Sequence, residues 1–184
     1  MSTKVLFIQG GGEGAYDEDK ALADSLQSEL GAEYQVVYPP MPDEDAPTYE
    51  AWANAIRNEL STFADGFIVA GHSFGASILL KVFAENQPEN SPRGIFLLAT
   101  PYWGASDWEV DEYALSDDFA AHLPNVPISL YHCKDDEIAP LEHLKVYAAK
   151  LPRATVREFD VGGHQFNNDL SAVAADIRRV VEGS

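Results

Sequence analysis

The sequence predicts an α/β protein: a doubly wound, mainly parallel six-stranded sheet with helices on both faces. Three observations predict it. Short apolar runs alternate six times with longer stretches of helical spacing, the pattern of a parallel sheet covered on both sides. Right-handed crossovers then leave few topologies. The chain has 184 residues, of which 46% are hydrophobic and 23% charged. That suits one domain over 1–184 and is too short for two comfortable ones.

The first strand is read at 5–8 (VLFI), ended by the glycines at 10–12. Residues 17–30 show helical spacing through Ala21, Leu22, Ser25, Leu26 and Leu30, and Gly31 stops the helix. A second strand at 34–38 is cut by Pro39 and Pro40, and an acidic, proline-rich loop runs to Pro47. The helix at 48–63 presents Trp52, Ile56 and Leu60 on one face. A strand at 67–70 leads into a helix at 73–85, and GIFLLA at 94–99 is another buried strand. Residues 101–124 form a short irregular excursion, aromatic and acidic, that is not a separate domain. A strand at 127–132, a helix at 141–151, a strand at 154–160 and a helix at 168–181 complete the alternation. In such sheets ligands bind beyond the carboxyl ends of the strands, where the chemically suggestive residues all fall.

The net charge is −18. A polyanion repels nucleic acid and anionic membranes, so neither is an expected partner, and a neutral or cationic small molecule is favoured. The single cysteine, Cys133, excludes an intrachain disulfide framework. The apolar run at 5–8 is too short for a secretory segment, and no run approaches the ~18 residues of a membrane span. The expectation is a soluble, cytoplasmic protein.

The strongest motif is Gly71-His72-Ser73-Phe74-Gly75, a G-x-S-x-G between a strand and a helix. A nucleophile elbow needs that setting, because a sharp turn lifts the serine above the sheet edge. The plainer alternative is a glycine-rich turn in which Ser73 only caps the helix. A serine needs a base. Of the five histidines, His72 adjoins the serine and should point elsewhere, His122 lies in the excursion, His132 closes a strand and His143 sits on a helix. His164 follows the final strand on a loop with two preceding glycines, so it is the expected base, with a packing histidine as the alternative. The base needs a carboxylate. Among Asp135, Asp136 and Glu137, Asp136 is preferred, four residues before Pro140, which leaves its neighbours as solvated acids.

These residues resemble the α/β-hydrolase superfamily, whose chain order is Ser…Asp…His. The likeness runs from Val5 to Val181, and HCKDDEIAP resembles the family's HGxxDxxVP stretch, with the acid at Asp136. The small size is similar to compact, lid-poor serine hydrolases of the retinoblastoma-binding-protein type and their bacterial relatives. The resemblance implies an acyl-enzyme on Ser73, formed from a small ester, thioester or amide. It implies an oxyanion hole from the backbone N–H of Phe74 and, in a loop resembling HGGG with Gln9 in place of His, from Gly11, with Gly12 as the fallback. Tyr102 and Trp103 are expected near the pocket mouth. The segment 107–118 has too few apolar residues for a large lid.

Two rival readings are weaker. The run from Gly10 to Ala15 fits the G-x-G-x-x-A dinucleotide fingerprint, but the second strand ends without an acid for the ribose. A metal site on His132 with Asp135 or Asp136 lacks a further ligand at suitable spacing. No cofactor and no metal are expected. The alternative function is a protein-interaction module with a vestigial triad.

Overall fold

The computed structural model describes residues 2–104, 108 and 110–183. The elements run β1 (Thr3–Ile8), α1 (Ala15–Leu30), β2 (Tyr34–Val37), α2 (Tyr49–Leu60), β3 (Ile68–His72), α3 (Ser73–Glu85), β4 (Gly94–Leu98), α4 (Phe119–His122), β5 (Ile128–Cys133), α5 (Leu141–Lys150), β6 (Thr155–Phe159) and α6 (Ser171–Glu182). The six strands form one sheet in the order β2-β1-β3-β4-β5-β6, and every neighbouring pair is parallel.

Strand residues alternate between two cores. Leu6, Ile8, Val69, Ile95, Leu97 and Leu130 pack with α2, α3, α4 and α5 on one face. Val5, Phe7, Ile68, Ala70, Phe96, Leu98 and Tyr131 pack with α1 and α6 on the other. Both faces are therefore apolar, which explains the continuous hydrophobic runs. Trp52 of α2 is fully buried and its Nε1 donates to Pro42 O at 2.7 Å. Burial of so large a side chain stabilises by about 3 kcal/mol, and the indole N–H keeps a partner.

The winding reverses between β1 and β3, which are neighbours although β2 lies between them in sequence. Ile8 pairs with Gly71, so the loop after β1 and the turn after β3 emerge side by side. A crevice at such a reversal is where an open α/β sheet binds its ligand.

Three details differ from the sequence reading. Ala21 is exposed; the buried stripe of α1 is Ala15, Asp19, Leu22, Ala23, Leu26 and Leu30, with a carboxylate inside it. The last helix begins at Ser171, because Phe166, Asn167 and Asn168 adopt φ of 51°, 51° and 55° and make a left-handed turn. The excursion contains the short helix α4, anchored by the fully buried Phe119. Residues 105–107 and 109, part of the excursion at 101–124, lie outside the described residues, so 107 and 109 of the segment expected to form no large lid are among them.

Candidate active site

The serine sits where β3 becomes α3 without an intervening loop: His72 ends the strand and Ser73 begins the helix. Ser73 adopts φ of 50°, a left-handed conformation that costs a non-glycine residue about 1–2 kcal/mol. The flanking glycines are required by close approach. A Cβ on Gly75 would lie 1.9 Å from Gln9 O, and one on Gly71 would lie 2.8 Å from Ala76 Cα. The first turn of α3 thus presses against the end of β1. That turn leaves the Phe74 N–H without an intrahelical acceptor.

His164 approaches from the loop after β6. Its Nδ1 lies 2.9 Å from Asp136 Oδ2 and 3.0 Å from Oδ1, and its Nε2 has no partner among the described residues. The His164 side chain is 15% exposed and that of Asp136 only 1%. Asp136 Oδ1 also accepts the Ile138 and Ala139 N–H groups at 2.8 and 2.9 Å. Burial would raise the Asp136 carboxyl, but the His164 ring and these amides outweigh it and hold it below the usual aspartate range.

Asp135 is exposed, as read from the sequence, yet it is not merely solvated. Its two oxygens accept the N–H groups of Gly162 and Gly163 at 3.1 and 2.8 Å. Those amides hold its carboxyl below the usual range. The two adjacent acids therefore divide the work: one holds the ring, the other the loop that carries it.

The loop after β1 is fixed by two carboxylates. Gly10 N–H donates to Asp19 Oδ2 at 2.7 Å, and Gly12 N–H donates to Glu44 O at 2.6 Å. The Glu44 side chain accepts Gln9 Nε2 (2.6 Å), Gly14 N–H (3.0 Å) and Tyr16 N–H (2.8 Å). It supplies the negative charge that the start of α1 favours. Gln9, fully buried, also accepts Met41 N–H at 2.9 Å, so it anchors the acidic loop. Between two engaged neighbours, the Gly11 N–H has no partner among the described residues. Gly11 lies against Phe74; a Cβ there would be 3.0 Å from the Phe74 ring.

His72 points away from the serine's front. Its Nδ1 lies 2.8 Å from Asp19 Oδ2 and its Nε2 2.9 Å from His164 O. The rings of His72 and His164 have centroids 4.7 Å apart. His164 is thereby brought beside the residue that precedes Ser73. Ser73 Oγ has no hydrogen-bond partner among the described residues. The hydrogen bond expected between Ser73 and His164 is therefore not formed in this structure.

Phe74 is enclosed by aromatic rings: centroids of Trp52 and Tyr113 lie 4.8 Å away and that of Trp103 6.0 Å away. Trp103 Nε1 donates to Ser77 Oγ at 2.9 Å, and Lys81 Nζ donates to Ala114 O at 2.6 Å. These bonds pin the excursion onto α3. Tyr102 turns to α5, its ring 5.2 Å from that of Tyr147. A groove of about 920 Å³ lined by Val126, Ile128, Lys150 and Arg153 lies at the amino ends of β5 and β6, the edge of the sheet opposite the serine. Among the described residues no cluster of three or more His, Cys, Asp or Glu is arranged to hold a metal. No helix among them is long and apolar enough to cross a membrane.

Sequence reasoning missed Asp19, Gln9 and Glu44 as site-building residues. The available signal was a carboxylate four residues after Ala15 and three before Leu22, inside an apolar helical stripe.

A family model described as "Serine hydrolase" matches residues 18–170. A search of curated proteins finds no match. Among solved structures, the ydeN gene product of B. subtilis superimposes with a TM-score of 0.74 at 19% identity, covering 98% of this chain and 100% of that one. Zea mays acyl-protein thioesterase 2 gives 0.71 at 17% identity, with 98% and 94% covered. An esterase from Exiguobacterium antarcticum gives 0.67 at 14% identity, with 98% and 92% covered. At these identities the likeness is one of fold.

Proposed function

The chain belongs to the serine hydrolase family and has the α/β-hydrolase fold, and from that premise we propose that it cleaves a small carboxylic ester, thioester or amide through an acyl-enzyme on Ser73. One observation carries the reading: an imidazole with Nδ1 held by a buried carboxylate and Nε2 unclaimed, on a loop bonded to the residue beside the strained serine. In this scheme His164 Nε2 takes the Ser73 proton as Oγ adds to the carbonyl carbon. Asp136 fixes the tautomer and stabilises the imidazolium. The Gly11 and Phe74 N–H groups receive the oxyanion. The unengaged state of Gly11, against the engaged Gly12, favours it as the second donor.

The tetrahedral adduct collapses as His164 gives its proton to the leaving oxygen, sulfur or nitrogen. Water, deprotonated by His164, then attacks the acyl carbon, and Ser73 leaves with the proton returned. Trp103, beside Phe74, serves as a wall of the acyl pocket, while Tyr102 packs on Tyr147 of α5. The charge of −18 favours neutral or cationic substrates over anionic ones.

A fluorophosphonate probe tests the assignment. Wild-type protein is expected to be labelled and Ser73→Ala spared; equal labelling of both overturns it. A series of chromogenic esters is expected to show a preference for short acyl chains, because aromatic rings crowd the residue after the nucleophile.

A further inference from the structure

The acyl-transfer scheme leaves one buried charged pair without a task. Asp19 and His72 have side chains 2% and 1% exposed, and they join three of the four segments that build the site: the loop after β1, the elbow and the loop after β6. Isolated charges are expensive to bury, so a pair so deeply sealed must be satisfied on every side. Here it is. His72 Nε2 faces the carbonyl of His164, which can only accept, so Nε2 carries a hydrogen. His72 Nδ1 faces Asp19 Oδ2, which already accepts the Gly10 N–H. Asp19 Oδ1 accepts the Gln165 side-chain amide at 2.9 Å. Two N–H donors on its two oxygens favour the carboxylate over the acid, and a carboxylate requires a proton on Nδ1 as well. Both ring nitrogens are then donors.

We propose that His72, held as an imidazolium by Asp19, is the positioning residue of the site: it carries the His164 main chain and, through Asp19, locks the Gly10–Gly12 turn, the elbow and the His164 loop into one unit. The proposal rests on the reading of Ser73 and His164 given above. The charged and titratable groups that face His72 are Asp19 from α1, His164 from the loop after β6 and Asp136 from the loop after β5. Burial would lower the His72 ring, but the Asp19 charge and hydrogen bond outweigh it and raise it above the ordinary value, with His164 O and Asp136 adding to the rise. Asp19 is raised by burial and lowered more strongly by His72, Gly10 and Gln165. With neither nitrogen free, His72 cannot act as a base. Its effect on the reaction passes through the placement of His164 and of the turn holding the Gly11 N–H.

Ring-nitrogen NMR of the intact wild-type protein tests the charge state, with the His72 signals identified by their loss in His72→Gln. The expected result is two protonated ring nitrogens at pH values where added N-acetylhistidine in the same tube has already lost its proton. A neutral His72 ring, or one that titrates in step with the reference, overturns the proposal. Kinetics test the positioning. In His72→Gln and Asp19→Asn, kcat for a short chromogenic ester, counted per serine labelled by the fluorophosphonate, is expected to fall roughly 100-fold, as displacements of about 1 Å do, with KM little changed. An unchanged kcat per labelled serine overturns positioning and leaves only a structural brace. If Asp19→Asn fails to fold, the wild-type spectra still decide; if His72→Gln fails to fold, the His72 signals are identified in the wild type by triple-resonance assignment and decide in the same way. Failure of the serine-hydrolase reading is seen separately, as equal labelling of Ser73→Ala, and does not alter the ring spectra.

Discussion

His164 and His72 lie with ring centroids 4.7 Å apart, and each has an aspartate on Nδ1. They differ at the other nitrogen. His72 Nε2 is spent on a carbonyl, whereas His164 Nε2 is left open at a partly exposed edge. The carboxylate makes neither of them a base. In the scheme proposed above, what separates the proton carrier from the positioning residue is one uncommitted nitrogen and a path to solvent, both set by which loop each ring sits on.

The comparison can be broken first at the acids. Asp136→Asn is expected to lower kcat/KM about 10⁴-fold, because an amide favours the wrong tautomer of His164. Steady-state kinetics with a chromogenic ester check it; a loss no larger than that of Asp19→Asn would erase the distinction between the two pairs. Next is the pH dependence of stability. Asp19 is depressed in the fold, so its contribution is present above the ordinary aspartate value and fades as pH falls through its folded value. His72 is raised, so its contribution is present below the ordinary histidine value and fades as pH rises through its folded value. The difference in melting temperature between wild type and Asp19→Asn should be widest between about pH 3.9 and 6.5 and narrow on both sides. Thermal melts across that range sharpen the contrast; a gap that keeps widening above pH 8 would contradict it.

A smaller effect is expected at the loop brace. Asp135→Ala frees the Gly162 and Gly163 amides and should lower kcat roughly tenfold through looser placement of His164. Its melting temperature should stay close to wild type, since the side chain is exposed. Kinetics and melts on one sample separate the two.

The strand-to-helix turn at Ser73 and the pairing of His164 with Asp136 were legible because each of these residues follows a strand, and strands announce themselves as apolar runs. The sheet was legible for the same reason; its strand boundaries agree to within about two residues. The second pair was not. Adjacency showed that His72 would turn from the serine's front, but its destination depends on a helix residue 53 positions earlier in the chain. Asp19 reads as a polar residue in a first turn, and only its place on the α1 stripe hints at burial. Glu44 was hidden in a loop that looked merely acidic. The left-handed turn at 166–168 is absent from the sequence reading, which starts the last helix at Asn168; two adjacent asparagines tolerate left-handed backbone, but Phe166 before them gives no such signal. The smallest effect belongs there. Asn167→Gly relieves about 1 kcal/mol of left-handed strain and gives back a similar amount to the flexibility of the unfolded chain. Denaturant titration should place it within about 0.5 kcal/mol of wild type.

The sheet order carries one more implication. The residues of the site hang from β1, β3, β5 and β6, and β6 is an edge strand with Val156 39% exposed. No smaller subset of strands can assemble the reacting groups. In the proposed scheme, fraying of that border on gentle heating silences turnover while most of the helix signal persists, so hydrolysis rates are expected to report the integrity of that edge strand sooner than bulk spectroscopy does.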